Sequence, residues 1–200
     1  MKLYIGTDSS WSIRALMCCE IAEIVSEIEL IDLTSKEEQL RLKALSPTGL
    51  VPFLQHNEVV VYDSLSIVEY LNELAPGLVY PADQAERSLC RSLCAELHAG
   101  FHCVRSEMPF STQKIVKKVS PSAQAAEELK RVSEIFSLSQ GHFMWGSEPK
   151  AVDAFYAVMA HRLYSYGIEF SGRAEAYQHA LIHWALLRRS LGKVSLSAAA

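Results

Sequence analysis

Apolar positions near the start of the chain change their period several times. Lys2 to Ile5 is a brief apolar run that predicts a strand, and from Trp11 onward Ile13, Leu16, Met17, Ile21, Ile24 and Ile28 recur at helical spacing. Ile28 to Leu33 predicts a second strand. The charged segment Ser35 to Leu45 predicts a solvent-facing helix, ended by Ser46, Pro47, Thr48 and Gly49. Val51 to Gln55 and Glu58 to Tyr62 then flank His56 and Asn57, the length and composition of a hairpin connection. Asp63 or Ser64 caps a helix with the buried stripe Leu65, Ile67, Val68, Leu71 and Leu74, which ends near Pro76 and Gly77. The order is βαβαββα. Two crossover helices followed by a hairpin require a mixed four-stranded sheet, parallel in its early strands and antiparallel in the hairpin.

Beyond Pro81 the strand period disappears. Helical spacing predicts helices at about 84–107, 121–138, 151–166 and 172–191, interrupted by the turn-rich stretch GHFMWGSEP at 141–149. The small-residue end SLSAAA has the composition of a fraying tail. The reading is an α+β N-terminal domain over residues 1–79 and an all-α domain over 84–200.

Composition narrows the function classes. Half the 200 residues are hydrophobic and 21% are charged, as in a globular protein with a substantial core. A formal charge of −4 offers no general attraction to nucleic acid, and the one dense basic cluster, Lys114 to Lys118, is short enough to be a solvated helix face. No apolar run approaches a membrane span and no cleavage site follows Met1 and Lys2, so the expectation is a cytoplasmic chain with neither membrane nor nucleic acid as partner.

Five cysteines, an odd number, point to reduced thiols rather than a disulfide framework. Adjacent Cys18 and Cys19 diverge by about 100° around a helix and read as packing residues. Cys90, Cys94, His98 and His102 recur every four residues, but that stripe drifts about 40° per step, so four ligands on one straight helix cannot surround a tetrahedral ion. His179 and His183 form another such pair with nothing in sequence linking it to the first. The expectation is no metal.

Chemistry enters at strand ends. The first turn of a helix carries N–H groups without intrahelical partners and favours negative charge, and Thr7, Ser9, Ser10 and Ser12 gather where the first strand meets the first helix. They serve either as a cap or as an anion cradle. In SPTGLVPFL, Pro52 opens a strand after a tight loop, a place suited to a cis bond or to an ordinary edge-strand proline. In YDSLSIVEYL, Asp63 and Ser64 stand at another helix N-terminus, as a cap or as donors to a carboxylate.

Taken in order, the hydroxyl knot, Val51-Pro52 and Asp63-Ser64 followed by an all-helical remainder resemble the cytosolic glutathione S-transferases over nearly the whole chain. SSWSIR with AELHAGFHCVRSEMPF is similar to a bacterial, serine-type subgroup that carries SSWS after the first strand and an H-x-GF-x-x-x-R-x-E-x-P run, here His98, Gly100, Phe101, Arg105, Glu107 and Pro109. The resemblance implies a thioredoxin-like N-terminal domain and a homodimer. It implies glutathione as co-substrate, with Val51 and Pro52 pairing its backbone, Asp63 and Ser64 holding its γ-glutamyl end, and its thiol over the knot. Ser10, four residues before Arg14, matches the serine of theta-like and delta-like members; Ser9 matches zeta-like members nearly as well, leaving Ser12 as helix cap.

The implied reaction joins the thiolate to a small hydrophobic electrophile, as in detoxification, with Trp11, His102 and Arg105 as candidates for the electrophile site. Two alternatives stand beside it: a zeta-like glutathione-dependent isomerase, and a non-catalytic binding or regulatory module. One departure is visible. Where the family carries a hydroxyl residue three before an aspartate at the start of a late helix, this chain has Lys150 before Asp153, so half of a reciprocal cap is missing.

Overall fold

The computed structural model describes residues 1–113, 115 and 119–195. Most of the basic cluster at 114–118, and the tail from 196, lie outside the described residues.

The sheet follows the expected order. β1 (Lys2–Gly6) runs parallel to β2 (Glu27–Ile31) and antiparallel to β3 (Phe53–His56), which pairs antiparallel with β4 (Val59–Val61), giving the spatial order β2-β1-β3-β4. Alternation along β1 serves two cores. Leu3 and Ile5 enter the main core, while Tyr4 faces the opposite side and stacks on Phe53 at 4.1 Å, with Ile31 and Leu42. That second side is covered by α2 (Lys36–Leu45), whose one buried residue is Leu42. α1 (Ser10–Ile21) and α3 (Ser64–Leu74) pack together on the main-core side.

The hairpin slips by one residue from the expectation. Gln55 pairs with Val60 and His56 with Val59, so the turn is Asn57-Glu58, and Asn57 takes a left-handed φ of 54°. Asparagine tolerates that conformation better than most residues, which fixes where the chain reverses. Pro52 immediately precedes β3, and the Val51-Pro52 bond is cis.

The remainder is helical: α4 (Gln84–Ala99), α5 (His102–Glu107), α6 (Ala123–Phe136), α7 (Ala151–Ser165), α8 (Gly172–His183) and α9 (Ala185–Val194). α7 is apolar nearly all round because it is surrounded, packing against α1, α4 and α8. Through it the apolar core runs without interruption from the sheet into the helices.

Two expected helices are each broken in two. The helix predicted over 84–107 stops at Gly100, and Phe101 adopts φ 59°, re-aiming α5. A Cβ at Gly100 would lie 2.8 Å from the Glu96 carbonyl oxygen, so the break needs glycine there. The helix predicted over 172–191 breaks at Trp184, which is extended with ψ 122°.

The start of α7 shows what replaces the missing capping hydroxyl. The Lys150 backbone N–H donates to Asp153 Oδ2 at 2.8 Å, while Asp153 Oδ1 accepts from the Met144 N–H at 2.8 Å and the Tyr177 hydroxyl at 2.6 Å. The Lys150 ammonium donates instead to the carbonyls of Gly77 and Leu78, tying α7 to the chain that leaves α3. Burial pushes the Asp153 carboxyl up to about 6, opposed by the hydrogen bonds it accepts.

Candidate functional site

At the β1–α1 junction most of the hydroxyls are committed. Thr7 Oγ1 accepts from the Leu33 N–H at 2.9 Å, Ser9 Oγ from the Ser12 N–H at 3.2 Å, and Ser12 Oγ from the Gly6 N–H at 3.0 Å. Ser9 is therefore the N-cap of α1, correcting the assignment of that role to Ser12, which instead ties the helix back to the end of β1. An N-cap oxygen satisfies an orphan first-turn N–H, so Ser9→Ala should cost about 1 kcal/mol in urea unfolding. Ser10, the first residue of α1, has no hydrogen bond from its hydroxyl among the described residues. Asp8 holds the junction from outside: its N–H donates to the Val194 carbonyl, and its carboxylate accepts from the backbone and hydroxyl of Thr112.

A cleft of about 580 Å³ opens beside this junction, lined by Trp11, Thr48, Leu50, Val51, Pro52, Tyr62, Asp63, Ser64, Ser66 and His98. A second lobe of about 360 Å³ shares Trp11, Leu50 and Val51 with it and adds Ser9, Gln39 and Lys43 among its walls. Five residues singled out from sequence thus share one cleft: Trp11, Val51, Pro52, Asp63 and Ser64. Ser9 reaches it through the second lobe; Ser10 is nearly buried and is not among the lining residues.

Asp63 is the N-cap of α3, its Oδ1 accepting from the N–H groups of Leu65 and Ser66. Oδ2 faces His98 Nε2 at 3.0 Å. The Ser64 hydroxyl is buried and has no hydrogen-bond partner among the described residues. An orphan hydroxyl on a cleft wall, beside a helix N-terminus, is available to a ligand carboxylate.

Behind Trp11 lies a concentration of positive charge. The Arg14 guanidinium sits 4.5 Å from the Trp11 ring centre and 5.1 Å from that of Phe155, and Arg105 lies 4.8 Å from Trp11. Arg14 is only 1% exposed, and its Nε and Nη1 lack partners among the described residues. Burial, followed by repulsion from Arg105 and Arg162, lowers its pKa to about 9. Arg162 donates to the Met108 carbonyl at 2.6 Å and is lowered to about 10, mainly by burial. Contact with aromatic faces offsets part of the cost of these buried cations. His102, by contrast, is exposed on the first turn of α5 and does not line the cleft.

Sequence reasoning missed several lining residues. Gln39 and Lys43, one turn apart on α2, lay outside every motif, and Thr48 and Leu50 lay within SPTGLVPFL without being singled out as site residues. His98 entered only through a helical stripe and a motif. Its partnership with Asp63 depends on how the helical part docks.

Residues 8–74 match the family described as glutathione S-transferase, N-terminal domain. The chain is 27% identical over 176 residues to the stringent starvation protein A homolog of Haemophilus influenzae, covering 86% of this chain and 79% of that protein. It is 29% identical to a probable maleylacetoacetate isomerase of Caenorhabditis elegans, over 49% of this chain and 45% of that protein. Among solved structures, a Burkholderia glutathione transferase homolog with bound glutathione superposes with a TM-score of 0.72 at 24% identity, covering 96% of each chain. Maleyl pyruvate isomerase, described as a bacterial zeta-class glutathione S-transferase, does so with a TM-score of 0.73 at 21% identity, over 98% of this chain and 99% of that one. Residues 8–74 thus carry the sequence pattern of that N-terminal domain, and the described chain has the glutathione S-transferase fold.

Proposed function

We propose that the protein is a glutathione transferase that binds glutathione along the Trp11–Val51–Asp63 cleft and stabilises its thiolate for attack on a small hydrophobic electrophile. The observation that carries this reading is the meeting of three features around a cleft and its adjoining lobe: Val51-Pro52 at the start of β3, the N-terminus of α3 with a Ser64 hydroxyl unpartnered among the described residues, and the hydroxyl-bearing N-terminus of α1.

An extended peptide along Val51 gains strand-like hydrogen bonds. Asp63 and Ser64 receive its γ-glutamyl end. At the junction, a hydroxyl from Ser9 or Ser10 donates to sulfur, and the α1 dipole favours the thiolate, the nucleophilic form. Lowering a thiol pKa by about two pH units from about 8.5 takes roughly 2.7 kcal/mol, within reach of a charge-assisted hydrogen bond plus a helix N-terminus. Arg14, one turn beyond Ser10, adds a buried positive charge with no carboxylate partner among the described residues. Arg14→Met should raise unfolding stability by about 1–3 kcal/mol, because a lone buried cation is costly, while also raising the thiol pKa. Trp11 and Arg105 border the place where an electrophile would meet the sulfur; His102, at the exposed start of α5, contributes only if the substrate extends that far.

The dimer is proposed on the resemblance together with the exposed Val59, Val60 and Tyr62 on and beside β4, an edge strand that otherwise faces solvent. The cytoplasm is proposed as its location, and no helix among the described residues is long and apolar enough to cross a membrane. A second reading, a glutathione-dependent isomerase, is favoured by the isomerase names among the relatives and by the Ser9-Ser10 pair; turnover of a maleyl-type cis-alkene without glutathione consumption would select it.

Titration calorimetry with glutathione tests the core of the proposal. Heat with release of a thiol proton supports thiolate stabilisation. Silence at millimolar glutathione would select the non-catalytic module.

A further inference from the structure

We infer that His98 is a positioning residue for glutathione recognition, through which the helical part grips the glutathione cleft. The inference rests on the glutathione reading and extends it to a residue outside residues 8–74. His98 Nε2 stands 3.0 Å from Asp63 Oδ2, on the side of the carboxylate that the α3 N–H groups leave free. An ionised carboxylate only accepts, so Nε2 is the donor, and together the three bonds fix the carboxylate plane at the mouth of α3. The His98 ring also meets the Trp11 ring edge-on at 5.0 Å between centres, and Trp11 lines the same cleft as Asp63. One imidazole therefore touches two of the residues that line the proposed peptide track.

The surrounding HAGFHCVR segment makes this grip rigid. The helix must end at Gly100, where a side chain would strike the Glu96 carbonyl, and Phe101 turns the chain through a left-handed residue. That turn brings Arg105 back. Its Nε donates to the Gly100 carbonyl at 3.0 Å and its Nη2 to the Leu97 carbonyl, placing its guanidinium against Trp11. His98 and Arg105 thus hold Trp11 from the two sides of the break, and a motif separate from the hydroxyl knot acquires a physical connection to it. His98 Nδ1 is buried without a partner among the described residues.

Three proteins test this by calorimetry with glutathione: wild type, His98→Ala and His98→Gln. Glutamine places an amide N–H near the position of Nε2 while removing the aromatic ring. His98→Ala should weaken glutathione binding about tenfold, a modest figure because Asp63 is half exposed, and His98→Gln should stay within about threefold of wild type. Thermal melting should fall by similar amounts in both variants, since both lose the contact with Trp11. A purely structural histidine predicts equal affinity losses for the two. Equal losses, or an alanine variant that binds like wild type, would overturn the inference and leave the glutathione reading intact. No heat from wild type would overturn that reading, and this inference with it.

Discussion

Asp153→Ala is expected to lower the stability of the fold by about 3–5 kcal/mol, the largest effect of any single change considered for this protein. The carboxylate is fully buried and accepts from the Met144 N–H, the Lys150 N–H and the Tyr177 hydroxyl. Truncation leaves all three donors in the core without an acceptor, and each lost partner costs about 1–3 kcal/mol before relaxation. Asp153→Asn should cost less, because one amide oxygen still accepts. The two variants also separate in pH. Burial raises this carboxyl to about 6 from an ordinary 3.8, so the folded state holds its proton more tightly than the unfolded chain does. Its contribution to stability is complete below about pH 3.8 and is lost as pH rises to about 6. Urea unfolding at several pH values should therefore show wild type losing ground against Asp153→Asn across that window. A constant gap from pH 4 to pH 7 would refute the raised carboxyl.

Removing both junction hydroxyls, Ser9→Ala with Ser10→Ala, is expected to return the thiol of bound glutathione towards its free pKa. A rise of one to two pH units lowers the thiolate-to-thiol ratio about ten- to hundredfold, with glutathione affinity changed little. The single variants divide the effect between the two. Ser9 lines the cleft and caps α1, so Ser9→Ala should move both the thiol titration and the unfolding midpoint; Ser10 carries no cap bond, so Ser10→Ala should leave the midpoint alone. A double variant whose thiol titrates like wild type's would end the serine assignment.

The sheet was legible because β1, β2 and the hairpin announce themselves through alternation and turn residues, and because two crossover helices admit few topologies. Breaks in the helical part were not. Leu97, Phe101, Val104 and Met108 keep helical spacing straight through the left-handed residue, and at Trp184 neither glycine nor proline marks the extended geometry. In both places tertiary packing overrides a continuous local pattern. The site divides the same way. Val51, Pro52, Asp63 and Ser64 were readable as strand and helix starts, and they converge. What lies behind Trp11 was not readable, because the burial of Arg14 and the reach of His98 to Asp63 depend on how α4, α5 and α7 dock against the sheet domain. The lysine at 150 registered as the loss of a hydroxyl; its bonds to the carbonyls of Gly77 and Leu78 show a different attachment at the same corner.

The cysteines have a practical consequence for the spectroscopy of this protein. Cys18, Cys19, Cys90 and Cys94 are buried in the core, and burial raises the thiols of Cys18, Cys19 and Cys94. Cys103, more open, is raised as well, by burial and by neighbouring Glu128 and Glu107. The thiols of Cys18, Cys19, Cys94 and Cys103 therefore add little thiolate absorbance of their own near neutral pH. A difference spectrum, with the constant aromatic and peptide absorbance subtracted, then follows the sulfur of added glutathione with little contribution from them.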